Sequence, residues 1–271
     1  DISAPQSQAL NFTLTPPTPG RAFLSGHVVA GKGFVLDFTN TNISFGGSSG
    51  PLKDMAGNFY LTPTAGTSSS FAISGTVSGG STTFKMIGKT PLAANQDILA
   101  ELTVPFFNQK IRVVTAEGQP VAGTYIYGGV GSLYNAANSN VAMSSVEGLG
   151  AFEGTWRMQE GAVQTDANGY VNVSALQMST PATADFWVGG SSTYKYASQS
   201  FKALIGNGDI TLTLTQKLPS IRGTIKDSNG KPIPGITVGY MTKNPGSVVQ
   251  SGGEVAVKTD GSFEIVASAN D

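Results

Sequence analysis

The turn signature G-x-P-[IV]-x-G occurs twice, as Gly118-x-Pro120-Val121-x-Gly123 and Gly230-x-Pro232-Ile233-x-Gly235, 112 residues apart. A second signature follows each copy: Thr165-Asp166-Ala167-Asn168-Gly169-Tyr170, then Thr259-Asp260-Gly261-Ser262-Phe263. Asn-Gly and Asp-Gly pairs supply the positive φ that tight hairpins need, and a proline after Gly-x withholds a ladder donor. Pro232 therefore belongs at a strand start or on an edge. Before the 227–230 turn, Ile221, Gly223 and Ile225 alternate with polar residues; Ile233, Ile236 and Val238 begin the return. Repeated short strands with glycine turns predict an all-β chain.

Length and composition agree. A chain of 271 residues fits two or three modules of about 100 residues. Thirty-five glycines and only 12% charged residues suit many short strands rather than helices. Split at 105 and 217, the chain carries net charges of 0, −1 and 0, too little to attract a phosphate backbone or an anionic membrane. Nucleic acid is excluded as an expected partner. The absence of cysteine removes disulfides, thiolate nucleophiles and Cys-ligated metals. No apolar run approaches the roughly 18 residues of a membrane helix. Opening at Asp1 rather than Met is consistent with processing or with trimming of the sequence.

Three modules are expected. Residues 1–105 form an N-terminal β-sandwich whose leading strand, 9–15, places Leu10, Phe12 and Leu14 on one face and Asn11, Thr13 and Thr15 on the other. Further strands are predicted over 23–29, 33–38, 58–62, 70–77, 82–87 and 98–104, with turns at 46–50 and 79–81. Residues 106–217 hold the complete repeat. There, 39 positions separate Ile126 from Thr165, against 21 between Val238 and Thr259, so this copy carries 18 extra residues within an insertion at 128–162. A short helix is predicted over 139–149, and strands at 124–127, 170–176, 184–188, 194–204 and 209–215. Residues 218–271 restart the repeat, with ten residues after Gly261 against 46 after Gly169 in the earlier module before residue 216. The third module reads as incomplete.

The paired turn motifs, with Ala184-Asp185-Phe186-Trp187-Val188, Tyr194 and the 206–214 stretch, resemble the carboxypeptidase regulatory-like modules over 107–268. The resemblance implies a transthyretin-like or immunoglobulin-like antiparallel sandwich, and a non-catalytic spacer or accessory module of secreted and surface proteins. It brings no catalytic residue with it.

The residues themselves point the same way. His27 is the only histidine, lies in a strand context and has no nucleophile elbow beside it. Asp166/Asn168 and Asp227/Asn229 have the i, i+2 oxygen spacing of calcium loops but lack further carboxylates, so hairpin turns explain them better. No catalytic residue, metal site or cofactor is expected. An intramolecular Lys–Asn bond is geometrically possible in any sandwich, without a local signal for it.

Exposed aromatics are the binding candidates: Trp187, outward if Phe186 and Val188 face the core, with Trp156 and Tyr134 in the insertion. The insertion folding back over its own sheet is the alternative for the latter two. Asn11, Asn42 and Asn172 open N-x-S/T triplets in predicted strands, where Asn and hydroxyl share an outward face, which permits glycans.

The function expected is that of a non-enzymatic extracellular or cell-surface structural subunit. Copies of itself would be its partners, assembled head to tail as a strand carrying Leu10, Phe12 and Leu14 enters the incomplete module. Two alternatives stand: the module is completed by sequence after Asp271, or the chain is an adhesin or accessory module that binds glycans or proteins.

Overall fold

Alternating apolar and polar residues give each strand one face to bury. The computed structural model describes residues 24–64, 68–77, 82–89, 91–93, 98–131, 140–142, 149–159, 163–191, 193–206, 208–243 and 250–266. The leading stretch 9–15, with Leu10, Asn11, Phe12 and Leu14, lies outside them, as does Tyr134. Strands dominate. The described residues contain no α-helix, and a 3-10 turn at Phe38–Asn40 is capped by Asp37, whose carboxylate accepts from the Thr39 and Asn40 N–H groups.

The first region comprises β1 (Leu24–Ala30), β2 (Asn42–Phe45), β3 (Ser48–Pro51), β4 (Asn58–Leu61), β5 (Ser68–Ser69), β6 (Ala72–Thr76), β7 (Thr82–Gly88), β8 (Leu92–Ala93) and β9 (Ile98–Val104). Residues 33–38, predicted as a strand, retain only the Leu36–Val77 bridge before the 3-10 turn. The Gly46-Gly47 pair closes a hairpin between β2 and β3, and β3 begins within the stretch 46–50 predicted as a turn. β1 lies between antiparallel β4 and parallel β9.

The second region repeats that arrangement with β10 (Phe106–Thr115), β11 (Ile126–Val130), β12 (Phe152–Met158), β13 (Tyr170–Leu176), β14 (Ala182–Val188), β15 (Gln199–Ile205) and β16 (Ile210–Leu214). β10 lies between antiparallel β13 and parallel β16. The first strand thus has the same two kinds of neighbour in both regions, although the turn signatures appear only in the second.

The insertion joins the two regions. β12 pairs antiparallel with β7 over seven residues, from Phe152↔Gly88 to Met158↔Thr82, and its other edge meets β11. One eight-stranded sheet results, in the order β15-β14-β11-β12-β7-β6-β2-β3, and it crosses residue 105. Within 139–149, Asn140 and Val141 make extended bridges to Glu153 and Met178 rather than helical turns. Residues 143–148 lie outside the described set.

The third region contains β17 (Ser220–Thr224), β18 (Thr237–Lys243), β19 (Gln250–Ala256) and β20 (Ser262–Val266), in two two-stranded sheets, β17-β20 and β18-β19. The 112-residue repeat holds down to single hydrogen bonds. Val113 N–H donates to Gly169 C=O as Ile225 N–H does to Gly261 C=O, both at 2.8 Å. Val121 N–H donates to Val113 C=O as Ile233 N–H does to Ile225 C=O. Pro120 and Pro232 make matching isolated bridges, to Val114 and Lys226.

Candidate assembly site

The same three positions of the repeat have different surroundings in its two copies. Val113, Val121 and Ile126 are fully buried in the second region. Their counterparts Ile225, Ile233 and Val238 are only half-buried in the third. Ile221 is 65% exposed and Met241 72% exposed, and the contiguous core runs from Leu24 to Leu214 without any described residue of the third region. Fully burying an aliphatic side chain contributes about 1.5–3 kcal/mol, a gain these positions realise only in part. Beside them, β17 has β20 on one edge and, among the described residues, no strand on the other.

A charged contact ties this region to the second. Lys195, the positive-φ non-glycine residue of the described set (φ 61°), sends its ammonium to Glu264 on β20, and Arg222 Nε contacts the other Glu264 oxygen at 2.9 Å. The Lys195 carbonyl accepts the Leu218 N–H at 2.8 Å. Nearby, Glu117 accepts from Lys217 and from the buried Tyr196 hydroxyl, each at 2.6 Å. Lys195 and then Arg222 lower the Glu264 pKa from 4.5 to about 2; Lys217 and then Tyr196 do the same for Glu117.

Both carboxylates therefore bind protons more weakly folded than unfolded. Their stabilisation is complete above the unfolded value and is lost as pH falls towards the folded one. Thermal melts should show Tm falling between pH 4.5 and about 2. The slope in that window should flatten in Glu264→Gln; an unchanged slope would show that the pair does not hold the junction.

Phe186 and Val188 are buried on β14, and Trp187 lies on the opposite face as alternation requires. There it stacks on Tyr127 of β11, with ring centroids 4.9 Å apart and planes at 27°. The pair lines an open cavity of about 530 Å³ together with Arg157, Asp185 and Lys202. Sequence reasoning missed Tyr127, whose place opposite Trp187 depends on strand register. Trp156, read either as an exposed binding aromatic or as part of an insertion folded back over its own sheet, is fully buried on β12, which pairs with β7 of the first region as well as with β11, so its ring offers no open face.

Asn42 and Asn172 are exposed, with Ser44 and Ser174 half-buried on the same faces. His27 Nδ1 lies 3.4 Å from Glu101 on the neighbouring strand. The Asp166 carboxylate accepts the Asn168 and Tyr170 N–H groups, and Asp227 those of Asn229 and Lys231, so both work as turn caps. Among the described residues, no three His, Cys, Asp or Glu gather as a metal site, and no helix is long and apolar enough to cross a membrane.

No family model matches the chain, so the carboxypeptidase regulatory-like resemblance rests on its turn motifs, and no curated protein matches either. Among solved structures, a streptococcal ancillary pilin is similar at 12% identity and TM-score 0.30, covering 91% of this chain and 86% of its own. The shaft pilin of Lactobacillus rhamnosus GG follows at 8% identity and TM-score 0.29, covering 73% and 97%. The major pilin subunit of Bacillus cereus is at 9% identity and TM-score 0.18, covering 91% and 84%. Likeness this distant carries no argument about partners or activity. From its own strands and registers, the chain is an all-β protein built on a repeated first-strand arrangement.

Proposed function

We propose that the chain is a non-enzymatic structural subunit of an extracellular or cell-surface filament or layer, joined to copies of itself by β-strand exchange. The observation that carries this reading is the edge of β17 that no described strand pairs, beside apolar positions that are buried in the second region and half-buried in the third. An unpaired ladder beside exposed apolar side chains is a template for another strand. A surface offering this edge on one copy and its filler on the next propagates head to tail.

Deleting residues 1–16 from the full chain should leave monomers, read by light scattering and electron microscopy, with the β-sheet circular dichroism retained. Filaments that persist unchanged sink the reading. The Trp187–Tyr127 pair favours a second reading, an adhesive module that stacks a sugar ring on an aromatic face. Under that reading the same deletion leaves behaviour in solution unaltered.

A further inference from the structure

The first two regions show what belongs beside β17. In each, the first strand has an antiparallel neighbour on one edge and a parallel closing strand on the other: β9 beside β1, from Leu24↔Ile98 to Ala30↔Val104, and β16 beside β10, from Ile111↔Ile210 to Thr115↔Leu214. β17 already has the antiparallel neighbour, β20. Its likeness to β1 extends to side chains. Leu24-x-Gly26-x-Val28 matches Ile221-x-Gly223-x-Ile225, and each glycine lies under a cross-strand phenylalanine, Phe59 and Phe263 respectively. Among the described residues, the position beside β17 without a strand is thus that of a parallel closing strand.

One stretch of the sequence matches the strand that fills this position in the complete repeat. Residues 11–15 read Asn-Phe-Thr-Leu-Thr, and residues 209–213 read Asp-Ile-Thr-Leu-Thr. Three of the five residues are identical, and the Phe/Ile exchange keeps a large apolar side chain. In β16 the apolar members Ile210 and Leu212 are buried beside Ile111 and Val113. Transferring that register by 112 residues puts Phe12 beside Gly223, Thr13 beside Thr224 and Leu14 beside Ile225, with Leu10 extending to the exposed Ile221. Paired residues of a parallel ladder point to the same face, so Leu10, Phe12 and Leu14 would cover the half-open apolar row of β17.

Resting on the filament reading above, we propose that the free edge of β17 is a parallel closing-strand slot, occupied by residues 11–15 of a second copy in this register. The contact is polar in direction. Each copy gives a strand at one end and accepts one at the other, and the outward Thr13 lies next to the outward Thr224.

The chain has no cysteine, so an engineered pair reports its own contact. Full-length protein carrying Thr13→Cys and Thr224→Cys should give, on mild oxidation, a ladder of disulfide-linked multimers that reductant collapses. Thr13→Cys with Ser262→Cys, on the far side of β17, should give about tenfold less, because cysteines more than about 7 Å apart do not bridge. A disulfide closed within single chains overturns the exchange between copies. Filaments of unmodified protein combined with no linked ladder overturn this slot and leave the filament reading standing. Unmodified protein that stays monomeric and yields no ladder overturns both.

Discussion

Trp156→Ala is expected to destabilise the chain by about 3–5 kcal/mol, the range for emptying a buried aromatic site. Trp156 is fully buried on β12, where it pairs with Phe84 of β7 on one side and Val130 of β11 on the other. Truncation therefore opens a cavity at the seam between the first two regions rather than at the margin of either. Trp156→Phe should cost far less. The indole N–H has no hydrogen-bond partner among the described residues, so losing it removes a desolvated donor and leaves most of the apolar packing. Urea denaturation, followed by the fluorescence of the remaining Trp187, measures both variants. Because the sheet is continuous through β12 and β7, the wild type should unfold residues 24–214 in one transition. Separate transitions for residues 24–104 and 106–214 would show that the shared sheet does not couple them.

The shared sheet is also what the sequence hid. The 112-residue repeat, its turns, the strands around them and the outward face of Trp187 were legible because each depends on residues within about one turn of each other. The partnership of β12 with β7 has no such local mark. The first residue of β12 follows the last of β7 by 64 positions in the chain, and its alternation reads the same whichever strand it joins. Residues 128–162 consequently looked like an excursion of their own module. Trp156 misled for a related reason: its neighbours alternate, but the face that becomes interior is set by the partner sheet. The first region repeats the parallel closing arrangement without the turn signatures. Only the Leu24-x-Gly26-x-Val28 spacing, too short to be distinctive, links it to β17. The open positions of the third region were the most legible part of the candidate site, because the complete copy shows which of its residues should be buried.

The same seam depends on a glycine. Gly129 of β11 pairs with Arg157 of β12 and Asp185 of β14, so backbone hems it in on both edges. Its φ is 155°, and an added Cβ would lie 2.0 Å from the Trp156 carbonyl oxygen and 2.8 Å from the Arg157 Cα. Both obstacles are main chain, so no side-chain rotation relieves the clash, and β11 must separate from β12. Gly129→Ala should therefore cost about 3 kcal/mol or more, combining overpacking with backbone strain. Gly118→Ala is the control. It also forces a positive φ, 81°, but its Cβ meets nothing within 4 Å, so only the left-handed penalty of about 1–2 kcal/mol applies. Denaturation midpoints of the two variants separate crowding from conformational strain. If Gly129→Ala proves no worse than Gly118→Ala, β11 is not clamped between β12 and β14, and the junction on which the eight-stranded sheet depends is looser than its registers require.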